Sequence, residues 1–221
     1  PPISTLFPYT TLFRSGQAPA GLLERAGIAT HVLEDSTARV PVERYAALYN
    51  LVNSELDDEG FGLFSVPMRC GSFEFLCRSV LTAPTLAEAL LRSARFLRLI
   101  LPDLAVSLEQ NRQEARLLIR ETQPLAIGRV FAFEWLLRLL HGLSSWLVGR
   151  SLVLDAVSFP YPRPAHADDY ALIYTAHSRF LGEAAAGEPA APDDTLIACF
   201  AANLLDLPVR RDETALQSFL V

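Results

Sequence analysis

The 221-residue chain contains no lysine, so all 19 of its basic residues are arginines. Opposing them are 25 aspartates and glutamates, which leave a formal net charge of -6 at pH 7. Proteins that bind nucleic acid unaided usually carry a basic surface that neutralises phosphates. The acidic balance therefore argues against DNA binding by this chain alone.

Cysteines are also scarce, and the three present are Cys70, Cys77 and Cys199. An odd and sparse set does not form a disulfide scaffold, which favours a reducing, cytoplasmic location. Zinc sites need closely spaced cysteines and histidines. Cys70 and Cys77 are too far apart for one turn and have no histidine nearby, so the sequence predicts buried structural cysteines and no metal site.

Long uninterrupted apolar runs are missing as well. The best candidate for a membrane span, Val130–Val148, carries Glu134, Arg138 and His141, whereas a spanning helix needs about 20 predominantly apolar residues. This segment is instead typical of a central, buried helix in a folded domain. The chain is 51% hydrophobic and 20% charged, which is enough to build a sizeable core.

The first residues do not resemble the rest of the chain. Thr5–Ser15, TLFPYTTLFRS, matches a frame translation of a widely used sequencing-library adapter. A signal peptide would need a basic start and a small-residue cleavage site, and neither is convincing. We therefore interpret residues 1–16 as an artefact and residues 17–221 as one domain.

Helical patterns dominate the first half of that domain. Gly27 ends a short helix at Ala20–Ala26, and Pro41 starts a second. Ser72 is placed to cap a third helix, and Thr85 and Glu88 form a capping box for a fourth. The inward-facing residues of the second helix are predicted to be Val42, Tyr45, Tyr49, Val52 and Leu56; those of the fourth are Leu86, Ala89, Leu90, Leu97 and Leu101.

Alternating patterns predict strands in the second half. Leu104–Glu109 and Glu114–Arg120 flank a four-residue loop as an antiparallel hairpin. Further strands are expected at Ser151–Phe159 and Leu196–Phe200, and helices at Gly128–Val148, Asp169–Ala176 and Asp212–Leu220; residues 182–194 read as a loop. The predicted fold is a single α+β domain, with several amphipathic helices packed on a small, mostly antiparallel sheet.

Motifs that carry chemistry are weak. Gly142-Leu-Ser144-Ser145 lacks the second glycine of a nucleophile elbow, and no glycine-rich phosphate loop occurs. The segment His166-Ala-Asp168-Asp169 reads as a solvated polar turn rather than a metal site. Arg92, Arg95 and Arg98 read as a solvated helix face. The sequence therefore predicts no catalytic residues, no metal and no cofactor.

One polar stripe stands out on the otherwise apolar helix at 128–148: Glu134, Arg138, His141 and Ser145. Buried ionisable groups usually have partners, so one interpretation is a structural network in which Glu134 pairs with Arg138. The other is that these groups orient a small ligand in an apolar pocket. Arg69, beside Cys70-Gly71, is a similar ligand-binding candidate.

Several segments, taken in order, resemble the N-terminal domain of AraC-type transcription regulators, catalogued as arabinose-binding. They are LLERAGI, ARVPVERYAAL at 38–48, GFGL at 60–63, TAPTLAEALLRSARFLRLI from Thr82, and FAANLLDLPVRRDETALQSFL at 200–220. Each motif is soft and structural; their combined order carries the resemblance. The family name does not identify arabinose as the ligand.

The resemblance implies a cytoplasmic domain that forms homodimers, senses a small-molecule effector of unknown identity and is not an enzyme. Family members continue into a C-terminal domain with two helix-turn-helix units, which is missing from this chain, so DNA would be contacted only through that domain. The rival interpretation is a small-molecule enzyme of unknown reaction that uses the same pocket.

The charge balance leads to a first prediction. Specific DNA binding draws much of its strength from phosphate neutralisation, which weakens steeply with salt. We expect no sequence-specific binding by residues 1–221 at physiological salt in a mobility-shift assay with the gene's own upstream region. Salt-resistant, sequence-selective binding by this chain would contradict the sensor interpretation.

Overall fold

A computed structural model describes residues 19–33, 39–183 and 192–220. The adapter-like segment 1–16 and most of the predicted loop at 182–194 lie outside these ranges. Within them, three 3-10 helices occur at Thr30–Leu33, Ala167–Asp169 and Ala202–Asp206. The α-helices are α1 (Pro19–Arg25), α2 (Val42–Leu56), α3 (Ser72–Leu81), α4 (Leu86–Ile100), α5 (Arg129–Val148), α6 (Tyr170–Ile173) and α7 (Glu213–Leu220).

Five strands form one sheet in the order β1-β2-β5-β3-β4. All neighbouring pairs are antiparallel except β3 and β4. The predicted fold class, a single α+β domain with a small, mostly antiparallel sheet, is confirmed. The strands are β1 (Leu104–Gln110), β2 (Glu114–Glu121), β3 (Ala156–Phe159), β4 (Ser178–Phe180) and β5 (Thr195–Ala201).

Two compact units can be distinguished within the chain. The first comprises the described residues up to Phe73 together with Leu125–Ala132, and the second comprises Glu74–Pro124 and the described residues from Phe133 onward. The second unit holds the complete sheet and most of α5. In the same unit, α4 contacts β1.

In the first unit, helix α2 buries a slightly different face from the one predicted. Val42 was expected to face inward but is 65% exposed, whereas Leu48 and Val52 are buried. At 3.6 residues per turn, Val42 lies about 120° around the helix from Leu48. The helix therefore has an apolar face, as the three- and four-residue spacing predicts, but that face is centred on Leu48 and Val52.

After α2, a buried carboxylate organises the turn. Asp58 accepts hydrogen bonds from the backbone N–H groups of Gly60 (2.8 Å), Gly62 (2.7 Å) and Met68 (2.7 Å). Phe61, between the two glycines, has a φ of 57° and is fully buried. A non-glycine residue in this left-handed region needs support from its surroundings, and the Asp58 hydrogen bonds provide it.

The neighbouring Glu59 caps helix α3 in place of the predicted Ser72. Its two carboxylate oxygens accept from the backbone N–H groups of Gly71 and Phe73, each at 2.7 Å. Ser72 is the first helical residue, and its hydroxyl donates to the Arg69 carbonyl. The prediction for Ser72 was wrong because a carboxylate from a distant part of the sequence satisfies these N–H groups instead.

Helix α4 begins as predicted, at Thr85. The Thr85 hydroxyl oxygen accepts from the Glu88 N–H at 3.4 Å, while the Glu88 carboxylate pairs with Arg92, with Nε 3.0 Å from Oε1. The Thr85 half of the capping box is therefore present, and Glu88 forms an i,i+4 ion pair. The predicted inward-facing residues of this helix are all buried: Leu86, Ala89, Leu90, Leu97 and Leu101.

The predicted hairpin is present with a loop one residue shorter. The Asn111 side-chain oxygen accepts from the backbone N–H groups of Gln113 (2.8 Å) and Glu114 (2.9 Å), which closes a three-residue loop. On β2, Leu117 and Ile119 are buried while the arginines at 116 and 120 are exposed. The two-residue alternation of the sequence is therefore confirmed.

The later strands differ more from the sequence analysis. The strand predicted at Ser151–Phe159 covers only Ala156–Phe159, and the short β4 was not predicted. Leu152 lies outside the sheet because two α5 side chains form hydrogen bonds with its backbone groups. Its N–H donates to the Ser145 hydroxyl (3.1 Å), and its carbonyl oxygen lies 2.8 Å from His141 Nε2.

The adjacent acids Asp57 and Asp58 allow a matched test of the turn. In Asp58→Asn, an amide N–H₂ must face one of the backbone N–H groups that the carboxylate now accepts. We expect a loss of about 2 kcal/mol in unfolding free energy, measured by urea denaturation. The exposed Asp57, changed to Asn as the control, should cause little change; equal losses in both variants would contradict the role of Asp58.

Candidate functional site

The four predicted ligand-binding residues belong to two different units. Arg69 belongs to the first unit, where Nη1 lies 2.7 Å from Asp57 Oδ2; both side chains are more than half exposed. The Arg69 hydrogen bond lowers the pKa of Asp57 below its ordinary value. The other three candidates lie on α5. Arg69 is thus part of an exposed ion pair, which contributes little to stability.

Further along α5, His141 and Ser145 hold the Leu152 backbone through the two contacts described above. Both side chains are partly buried. This arrangement agrees with the structural-network interpretation of that part of the stripe, because the two side chains replace sheet partners for Leu152.

Glu134 and Arg138 do not form the ion pair that the structural-network interpretation included. Glu134 is buried whereas Arg138 is exposed, and in the described part of the chain the carboxylate contacts His166 instead, with Nε2 2.8 Å from Oε1. A spacing of four residues places two Cβ atoms on one side of a helix, but it does not decide which side chain turns inward.

Around Glu134 lies a group of residues that we call the phenol–carboxylate cluster: Glu134, Tyr161, His166, Tyr170 and Tyr174. The Tyr170 hydroxyl donates to Glu134 Oε1 and lies 3.2 Å from the Tyr161 hydroxyl. The Tyr174 hydroxyl donates to the Glu134 backbone carbonyl at 3.1 Å. Three side chains of the 166–174 segment therefore contact one residue of α5, and Tyr161 joins the cluster through Tyr170.

Aromatic rings surround this cluster. The Phe159 ring centroid lies 4.8 Å from that of Tyr170 and 5.3 Å from that of Phe180. At the outer side of the group, the Arg163 guanidinium lies 4.7 Å from the Phe180 centroid and pairs with Glu183. Tyr170, which binds the Glu134 carboxylate, thus lies among packed aromatic rings, and such low-polarity surroundings strengthen electrostatic contacts.

The phenols of the cluster resist ionisation. Burial, followed by the nearby Glu134 charge, raises the pKa of Tyr161, Tyr170 and Tyr174 well above the ordinary value of 10.0. At neutral pH these groups are therefore hydrogen-bond donors rather than bases. The cluster can bind and orient a polar group, and its phenols are poorly suited to abstract a proton.

Sequence reasoning identified Glu134 but missed its partners. His166 was assigned to a solvated turn, yet its side chain is only 21% exposed because it packs against Glu134, 32 positions earlier. The tyrosines at 170 and 174 have helical i,i+4 spacing, which was a usable signal for a shared face. Nothing in the local sequence indicates that this face meets α5.

Other site types have little support within ranges 19–33, 39–183 and 192–220. No three histidine, cysteine or acidic side chains there are grouped as a metal site would need. None of the helices described is long and apolar enough to cross a bilayer. A cavity of about 130 Å³ lies at the end of α5, lined by Val148, Gly149, Arg150, Leu207, Pro208 and Arg210. It is smaller than the roughly 300–1,000 Å³ of typical ligand pockets.

The raised phenol pKa values predict how the protein responds to alkali. Above pH 10 the unfolded chain releases phenolic protons that the folded chain retains, so folding stability falls as pH rises. Phenolate absorbance from Tyr161, Tyr170 and Tyr174 should appear together with the loss of circular dichroism. In Tyr170→Phe the pH dependence should be less steep; ionisation of all three with the fold intact would contradict the buried cluster.

Comparison with known proteins shows the family to which the chain is similar. Residues 16–187 match the N-terminal arabinose-binding domain of AraC transcription regulators. The chain is also 26% identical over 168 residues to the ornithine utilization regulator of Pseudomonas aeruginosa. That alignment covers 75% of this chain and 49% of the relative, so the chain spans about half the length of the curated relative it matches.

The family match covers well over half of the 221 residues and includes Glu134, Tyr161, His166, Tyr170 and Tyr174. The relative's alignment, in turn, extends over three quarters of the chain. The chain therefore belongs to the arabinose-binding-domain family of AraC transcription regulators and is a ligand-sensing regulatory domain.

Proposed function

We propose that this domain binds a small-molecule effector at the phenol–carboxylate cluster and thereby controls DNA binding by a C-terminal helix-turn-helix domain. The observation that carries the proposal is the buried Glu134 carboxylate, held among phenols and aromatic rings in a domain of a ligand-sensing family. Burying a charged group costs free energy of folding unless the group is paired or hydrogen-bonded, and such groups cluster at functional sites. Because the relative is an ornithine utilization regulator, ornithine is the first compound to test.

Helix α5 provides a path for the signal. Its residue Trp146 lies twelve positions after Glu134, about 18 Å along the helix axis. The Trp146 ring stacks on Phe219 of α7 with centroids 4.5 Å apart. The Arg211 guanidinium donates from Nε to the Trp146 backbone carbonyl at 2.7 Å. An effector that favours one position of α5 would therefore bias α7, the helix nearest to where the DNA-binding domain follows in this family.

Among the predicted site residues, Glu134 is the proposed ligand contact. Arg138, exposed one helical turn further along α5, is proposed to contact a different, anionic group of the same ligand. His141 is proposed to act as a positioning residue, because it holds Leu152 beside the helix. Arg69, engaged with Asp57 in the other unit, has no part in this proposal.

We also propose that the domain forms a homodimer in the cytoplasm. Three large apolar side chains on neighbouring helices of the second unit are exposed: Phe75 on α3 (70%), and Leu91 (38%) and Leu99 (80%) on α4. Exposed apolar surface of this kind is typical of protein–protein contacts. The described cysteines are all free, which suits a reducing compartment.

The effector test is thermal unfolding of the chain with and without L-ornithine, together with sedimentation equilibrium on the same samples. Ligand at a hundredfold excess over its Kd should stabilise the fold by about 2.7 kcal/mol, and ornithine should be recovered unchanged. Consumption of the compound would favour the enzyme alternative. Failure of a panel of amino acids, sugars and organic acids to stabilise the chain would contradict sensing, and a purely monomeric chain would contradict the dimer.

A further inference from the structure

The two carboxylate oxygens of Glu134 are used unequally. Oε1 receives the Tyr170 hydroxyl and lies 2.8 Å from His166 Nε2. Among the described residues, no group donates to Oε2. The side chain retains 10% of its exposure, and the adjacent His166 side chain retains 21%. One acceptor of a nearly buried carboxylate thus remains available on a side that solvent can still reach.

Among the described residues, no permanently charged cation contacts this carboxylate; Arg138, one helical turn further along α5, is exposed. The chain has no lysine, and in the described ranges no arginine pairs with Glu134. Its one basic contact is His166, whose imidazole is charged only when protonated. The phenols stay neutral, because burial and the Glu134 charge raise the pKa of Tyr170 and Tyr174. The cluster therefore has an excess of negative charge and hydrogen-bond donors already turned toward Oε1.

Aromatic rings pack next to the groups that bind Glu134. Aromatic faces attract cations, and one ring of this group, Phe180, has the Arg163 guanidinium 4.7 Å from its centroid. Tyr170 and Tyr174 meet edge to face with centroids 5.5 Å apart, close to Glu134 through their hydroxyls. A carboxylate in such aromatic surroundings has a low local polarity, which strengthens a charge-assisted hydrogen bond from an ammonium group.

We infer that the effector carries a protonated amine, which donates a hydrogen bond to Glu134 Oε2 among the rings of the phenol–carboxylate cluster. This inference rests on the proposed sensing function and specifies the chemistry of the ligand. An anionic group at this position would be repelled by Glu134, and a neutral hydroxyl would gain only an uncharged donor's hydrogen bond.

The test uses three probes of equal chain length and different charge: n-butylamine, n-butanol and butyrate. Each is titrated into the full chain at constant ionic strength near neutral pH, and binding is followed by NMR through the tyrosine ring resonances. The amine should bind about tenfold or more tightly than the alcohol, because its hydrogen bond is charge-assisted. Butyrate should show no saturable binding.

A matched pair of variants assigns the effect to one carboxylate. Glu134→Gln keeps an oxygen for Tyr170 but removes the charge, and should weaken butylamine binding about tenfold while leaving butanol binding unchanged. Glu88→Gln, which removes an equivalent charge from the Arg92 pair on α4, should leave all three affinities unchanged. His166→Gln removes the one competing basic group and should not weaken amine binding.

The outcomes separate this inference from the function on which it rests. Equal affinity for butylamine and butanol in the wild-type chain overturns the amine assignment, even if Glu134→Gln fails to fold. Stabilisation by a neutral or anionic compound with no response to amines also overturns it, yet leaves the sensing function standing. Loss of amine preference in the Glu88 variant as well would show that the effect is not local to Glu134.

Discussion

The arrangement of the second unit depends on satisfying one buried carboxylate. Glu134 lies on an almost entirely apolar helix, and an unpaired charge there would oppose folding. In the segment from His166 to Tyr174, two side chains contact the carboxylate and Tyr174 donates to the Glu134 backbone carbonyl, so this segment is held against α5 by hydrogen bonds as well as by ring packing. A single acidic residue thus decides where a poorly regular segment must lie.

Helix α5 makes specific contacts near its start, in its middle and near its end. Near its start it carries Glu134, in its middle it takes the backbone of Leu152 through His141 and Ser145, and near its end it stacks Trp146 on α7. These contacts are spaced along one rigid element. A change at the cluster therefore has a short physical route to the C-terminal helix, as a sensor requires.

The first unit uses carboxylates in a different way. Asp58 and Glu59 bind backbone N–H groups of a turn and of the start of α3, whereas Glu134 binds side-chain donors. Backbone N–H groups belong to the main chain of the fold itself, so the Asp58–Glu59 turn is a structural device. Phenols and an imidazole can be displaced by a ligand group, so the cluster suits recognition.

The sequence by itself determined whatever depends on near neighbours. The Thr85 cap, the alternation of Leu117 and Ile119, and the apolar character of α5 follow from spacing and side-chain type, and the structure has each of them. The fold class followed from the same local patterns. These features need no knowledge of which segments meet, because their energetics lie within one turn or one strand.

Only the tertiary structure decided which distant groups meet. It turned Glu134 inward toward His166 and left Arg138 exposed, gave the α3 cap to Glu59 rather than Ser72, and kept Leu152 out of the sheet. In each case a polar group had several acceptable partners in sequence. The choice was made by burial, since a buried donor or acceptor must be paired with whatever the packed chain brings within reach.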